Sequence, residues 1–135
     1  MPHKKRILII DDNTDLLEVL NEVFEEHNFE CLFATTPLEG LKLATLEKPD
    51  IILLDLMLPD MSGLGVMHLI KNNAELKKIP VVILSSMMDN DVRWLTEDLG
   101  AIDYFSKGND YEKMVRRIAA YAGGNGSPPP SSHWE

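Results

Sequence analysis

The sequence predicts an α/β fold: a five-stranded parallel sheet with helices on both faces, doubly wound in (βα)5 order. Three observations carry that prediction. Short apolar runs alternate with helix-spaced amphipathic segments along most of the chain. The runs are continuous rather than alternating, as expected of strands covered on both faces. Four runs also end in polar residues: ILII in Asp11 and Asp12, IILL in Asp55, VVIL in Ser85 and DYFS in Lys107. Ligands of open α/β sheets bind beyond the carboxyl ends of the strands, so parallel pairing sets these endings along one edge.

The elements follow in order. Ile7–Ile10 is the first strand. Asn13–His27 carries Leu16, Leu20, Val23 and Phe24 at helical spacing, with Glu18, Glu22 and Glu25 opposite and Asn13 or Thr14 as cap. Phe29–Ala34 is the second strand, and Pro37–Leu46 a second helix with Pro37 in its first turn and Leu38, Leu41 and Ala44 facing inward. Ile51–Leu54 is the third strand, followed by a loop over Pro59–Gly65. Leu64–Asn72 resumes a helical pattern through Met67, Leu69 and Ile70. The fourth strand is Ile79–Leu84, entered through Pro80. A fourth helix covers Asp89–Leu99 and stops at Gly100. Ile102–Phe105 is the fifth strand, and Tyr111, Met114, Val115, Ile118 and Ala122 mark the buried face of a last helix. Right-handed crossovers leave few topologies for such an alternation.

At 135 residues the chain is one domain, able to bury a core without disulfides or a structural metal. The domain spans residues 1–122. Residues 123–135, GGNGSPPPSSHWE, form a flexible Gly/Ser/Pro-rich tail or the start of a linker. The single cysteine, Cys31, lies in an apolar stretch and reads as a buried small hydrophobe. The basic start, Lys4 to Arg6, precedes an apolar run too short for a secretory signal, and no run has the length of a membrane span. A cytoplasmic location is expected. The formal net charge of −9 disfavours non-specific binding to nucleic acid or an anionic membrane.

Asp11, Asp12 and Asp55 are acceptor-only groups when ionised. Two carboxylates about 4 Å apart repel by roughly 4 kcal/mol at an effective dielectric near 20, so three converging ones call for a cation. Hard oxygen ligands in a partly open site suit Mg²⁺ with retained waters. The Met57 backbone carbonyl offers another oxygen, and Lys107 a compensating charge. Taken singly, an Asp after a strand is a turn former or helix cap. Taken together, the endings of four strands require a common explanation.

The segment DLMLPDMSG (Asp55–Gly63), the acidic pair Asp11-Asp12, Ser85-Ser86 and Lys107 together resemble a response-regulator receiver domain of two-component signalling systems, chemotaxis-regulator-like and flavodoxin-like in fold. The resemblance covers roughly residues 5 to 121. It implies that Asp55 takes a phosphoryl group from a phosphohistidine of a sensor histidine kinase or histidine phosphotransfer protein. Asp11, Asp12, Asp55 and the Met57 carbonyl then hold Mg²⁺. Ser85 and Lys107 engage the phosphoryl group, with backbone N–H groups near Met57 and Ser86 assisting. Tyr104 matches an aromatic switch position whose ring turns inward with Ser85. The chain departs from the family at Gly108, where most receivers carry proline, so a more flexible or differently shaped loop is expected there. Met57 and Met87 flank the acceptor at positions that influence water access, and neither orients a water, so slow self-dephosphorylation follows.

Competing classes are weaker. A haloacid-dehalogenase-type phosphatase needs an acid two positions after its nucleophile, where this chain has Met57, and a cap domain. A phosphorylation-independent interaction module leaves the complete site without purpose. His3, His27, His68 and His133 lack ligand spacing, Met87-Met88 reads as loop packing, and Trp94 is either core or an exposed anchor. The expectation is therefore a signalling phosphoacceptor that promotes its own phosphorylation and dephosphorylation. It acts on no separate substrate and lacks a DNA-binding output domain. Its partner surface, with homodimerisation as one use, is expected on the helix over 89–99, the fifth strand and the last helix.

Overall fold

The structure is a computed structural model that describes residues 4–58, 61–86, 97–108 and 110–123. Pro59, Met87, Met88, Trp94, most of the helix expected over Asp89–Leu99, and the segment after Gly123 lie outside the described residues.

β1 (Lys5–Ile10), β2 (Phe29–Ala34), β3 (Ile51–Asp55), β4 (Val81–Ser85) and β5 (Asp103–Ser106) form one sheet in the order β2-β1-β3-β4-β5. Every pairing is parallel. The pleat sends alternate residues to opposite faces, so the apolar runs feed two cores. Ile7, Ile9, Ile51, Leu53, Val82 and Leu84 pack with α1 (Thr14–Glu26) and the C-terminal helix (Tyr111–Gly123). Leu8, Ile10, Ile52, Leu54 and Ile83 pack on the other face with α2 (Pro37–Glu47) and α3 (Gly63–Lys71). Burial on both faces is why these strands read as unbroken apolar runs. From β1 the chain passes to β2 on one side and then returns across to β3 on the other. The reversal makes the carboxyl ends of β1 and β3 the crevice where such sheets bind ligands.

Local chemistry sets the element ends. Asn13 caps α1, its Oδ1 accepting from the Leu16 amide at 3.1 Å. Thr36 caps α2 through the Glu39 amide at 3.2 Å, with Pro37 in the first turn. Ser62 caps α3 through the Gly65 amide at 3.3 Å.

Some expectations are corrected. Leu38 is 74% exposed and Leu69 44%, because α2 buries Pro37, Gly40 and Ala44, and α3 buries Val66, Met67 and Ile70. An i, i+3, i+4, i+7 stripe leaves Leu38 and Leu69 beside it rather than in it. β4 begins at Val81 rather than Ile79, since Ile79 closes a 3₁₀ turn over Leu76–Lys78, its amide bonding the Leu76 carbonyl at 3.0 Å. Cys31 is half-buried on the edge strand β2 rather than fully enclosed. Burial and the nearby Glu25 and Glu30 push its thiol up to about 12.

Candidate functional site

β1 and β3 end in the same local device. In each, the aspartate accepts a hydrogen bond from the backbone two residues on, an Asx turn. Asp11 Oδ1 accepts from the Asn13 amide at 2.9 Å, and Asp55 Oδ1 accepts from the Met57 amide at 3.0 Å. Both carboxylates are almost fully buried, at 1% and 2% exposure, although each carries polar oxygens. Asp12, one residue on, is exposed at the rim. One carboxylate oxygen from each of Asp11, Asp12 and Asp55 lies within 4.8 Å of the others.

β5 delivers the counter-charge. Lys107 Nζ lies 2.8 Å from Asp11 Oδ2 and 3.2 Å from Asp55 Oδ2. Its backbone amide donates to the Ser85 carbonyl at 2.9 Å, which ties the lysine to the end of β4. Ser85 is fully buried between β3 and β5, and Ser86 is exposed. Met57 is 56% exposed beside Asp55. Tyr104 is half-buried and packs on the α2/α3 side of the sheet. Asp11, Asp12, Asp55 and Lys107 thus converge by measured distance, with Ser85, Ser86 and Met57 on adjoining backbone.

Electrostatics follows from that geometry. Burial is the largest influence on Asp55 and raises its carboxyl pKa. The Met57 amide opposes this, Asp11 adds to it, Lys107 opposes it, and the balance is upward. Burial alone lowers the Lys107 ammonium pKa, but the hydrogen bond and charge of Asp11, then those of Asp55, outweigh it and the balance is again upward. Asp11 Oδ2 is buried, and its partner is the Lys107 ammonium at 2.8 Å. Three carboxylates against one ammonium leave negative charge in excess. An all-oxygen donor set of two buried carboxylates and one exposed one, with charge in excess, fits a hard divalent cation that keeps some of its water.

A glycine brings the α3 end of the loop close to the acceptor. A Cβ on Gly63 would fall 2.5 Å from the Asp55 carbonyl oxygen and 2.5 Å from Leu56 Cα. The Gly63 amide bonds the Leu56 carbonyl at 2.9 Å across the same contact. Only a residue without a side chain allows the backbones to meet there.

The sequence reading missed one contact at the site's edge. Gly108 has φ +86, and its amide donates to the Tyr111 hydroxyl at 2.8 Å. Proline fits neither the positive φ nor the donor role. The conformation at Gly108 is thus one that proline does not adopt. Tyr111 was read only as a core aromatic, and the glycine was the available signal.

Comparison with known proteins agrees with this arrangement. The family model for the response regulator receiver domain matches residues 7–119. Protein PilH of Pseudomonas aeruginosa is 33% identical over 120 residues, covering 88% of this chain and 98% of that protein. Sporulation initiation phosphotransferase F of Bacillus subtilis is 31% identical over 117 residues, covering 87% and 93%. Among solved structures, the Mn²⁺-bound form of response regulator Rcp1 is 28% identical with a TM-score of 0.78, covering 93% of this chain and 99% of that one. A CheY-like receiver domain protein from Methanospirillum hungatei shares the fold at a TM-score of 0.81 and 24% identity, covering 89% and 94%. Among the described residues, no helix is long and apolar enough to cross a membrane. With Asp11, Asp12, Asp55 and Lys107 gathered at the carboxyl edge of its parallel sheet, the chain belongs to the response regulator receiver domains.

Proposed function

We propose that Asp55 is the phosphoacceptor of a Mg²⁺-dependent, phosphohistidine-driven switch. The observation that carries this reading is Lys107 Nζ held between Asp11 and Asp55, beside a third carboxylate from Asp12. A carboxylate oxygen of Asp55 attacks the phosphorus of a phosphohistidine on a sensor kinase or phosphotransfer protein. A P–O bond forms, the P–N bond breaks, and the imidazole leaves with the electron pair and takes up a proton. Phosphoryl transfer is governed by positioning and charge neutralisation, and that is what these residues supply.

Asp11, Asp12 and Asp55, with the Met57 carbonyl, are the groups that hold Mg²⁺ in this reading. The bound ion supplies charge neutralisation for the transferring oxygens. That response regulator Rcp1 has a Mn²⁺-bound form supports a divalent cation for this chain. Before transfer, Lys107 pairs with the Asp55 carboxylate; afterward it pairs with the phosphoryl oxygens. The amides of Met57 and Ser86 and the hydroxyl of Ser85 complete the cradle. Ser85 drawn toward the phosphate lets Tyr104 turn inward, which converts added charge into a change on β5. The output face in this reading comprises β5, the C-terminal helix and the sequence-predicted helix over 89–99, used for a partner or a second copy. The protein promotes its own phosphorylation and dephosphorylation in the cytoplasm and turns over no separate substrate.

Incubation with Mg²⁺ and acetyl phosphate, followed by intact mass and peptide mapping, tests the proposal. One phosphoryl group on Asp55 is expected, with none on the Asp55→Asn chain. Labelling of both chains alike removes Asp55 from the role.

A further inference from the structure

The position of Lys107 depends on what holds the backbone on either side of it. On its amino side, the Lys107 N–H bonds the Ser85 carbonyl at 2.9 Å. On its carboxyl side, the next peptide's N–H belongs to Gly108, which sits at φ +86 with nothing within 4 Å of where a Cβ would lie. Sterics therefore do not hold this glycine, and glycine is the residue with most conformational freedom to lose. The Gly108 N–H instead donates to Tyr111 Oη at 2.8 Å. Tyr111 is itself anchored. It begins the C-terminal helix, whose first turn Asp110 caps through the Lys113 amide at 3.1 Å, and its ring packs on the α1 side of the sheet. Both peptide planes flanking the Lys107 Cα are thus hydrogen-bonded, one to β4 and one to Tyr111.

We infer that Tyr111 is a positioning residue for Lys107: its hydroxyl holds the Gly108 peptide and so directs the ammonium between Asp11 and Asp55. The consequence for rate rests on the phosphoacceptor reading of Asp55; the geometric statement does not. A small tilt of the Lys107 Cα–Cβ vector, carried down four methylenes, moves Nζ by about 1 Å, and displacements of that size cost up to a hundredfold in rate. The Gly108 peptide is held by a side-chain hydrogen bond, one that a hydroxyl-free ring removes without emptying the core.

The test uses the full chain and its Tyr111→Phe variant, with acetyl phosphate and Mg²⁺ as reagents. The variant is expected to acquire the phosphoryl group roughly three- to tenfold more slowly. In a Lys107→Ala background, adding Tyr111→Phe is expected to slow the reaction no further, since the two residues act through one ammonium. Wild-type rate in Tyr111→Phe overturns the inference, and so does equal slowing with and without Lys107. ¹⁵N spectra of the unphosphorylated protein give a second readout. Tyr111→Phe is expected to speed exchange of the Gly108 amide and to shift the Lys107 ammonium resonance, and unchanged signals overturn the inference. If the wild-type chain accepts no phosphoryl group, the Asp55 reading fails, and these spectra alone decide the role of Tyr111.

Discussion

In the proposed reading of Asp55, single residues at the mouth of the site set how long a phosphoryl mark persists. Met57 stands beside Asp55, 56% exposed, with a thioether that is a weak acceptor and no donor. Such a side chain offers an attacking water no strong hydrogen bond. Met57→Asn is therefore expected to shorten the phospho-Asp55 lifetime several-fold, read as loss of label over time in Mg²⁺. An unchanged lifetime removes Met57 from control of that step. At this scale the sequence was legible wherever chemistry and position coincided: Asp11, Asp12, Asp55 and Lys107 were named from strand endings and do converge. The Tyr111 hydroxyl on Gly108 was not legible. Nothing in an apolar stripe distinguishes a tyrosine that only fills the core from one whose hydroxyl holds a neighbouring peptide.

Elements are joined by a few close contacts. The β3–α3 connection closes through Gly63, where a methyl group would collide with backbone on two sides. Gly63→Ala is expected to destabilise the fold by about 1–3 kcal/mol in denaturant unfolding. It is also expected to slow Asp55 phosphorylation, because the displaced backbone carries the acceptor. The C-terminal helix is locked to β5 differently. Asp103, fully buried at the start of β5, accepts at Oδ2 from Arg117 Nε at 3.1 Å and from the Tyr121 hydroxyl. Burial first, then the hydrogen bond to Asp103, push the Tyr121 phenol up to about 12 from 10.0. The folded chain thus keeps a proton that the unfolded chain releases as pH passes 10. The stabilisation is complete below pH 10 and declines as pH rises toward about 12. Chemical denaturation across that window is expected to show the decline in the wild type and a shallower one in Tyr121→Phe. Among the described residues, element existence was legible from periodicity, but exact faces were less so. Leu38 and Leu69 stand next to buried stripes and share the composition of those stripes, and only packing assigns them to solvent.

At the scale of the whole molecule, the strand order β2-β1-β3-β4-β5 explains why the site was readable at all. Parallel pairing puts every strand's end on one edge, so a residue after a strand is also a residue at the site. The segments outside the described residues include the helix where the sequence left Trp94 open between core and surface. Because the clustered carboxylates repel one another, a bound divalent cation stabilises the whole fold by mass action. Saturating Mg²⁺ at ten times its Kd is expected to add about 1.4 kcal/mol to unfolding free energy. The gain is read as a rise in thermal midpoint over a chelator control, and Asp12→Asn is expected to lose it. The same edge also has a temporal meaning. Asp11 emerges early in synthesis, Asp55 later, and Lys107 only with the last strand, yet the three side chains touch. A nascent chain therefore carries all three carboxylates long before it carries their counter-ion. The charge-balanced site is complete only when β5 docks, so a half-made copy on the ribosome holds the carboxylates without the lysine that pairs them.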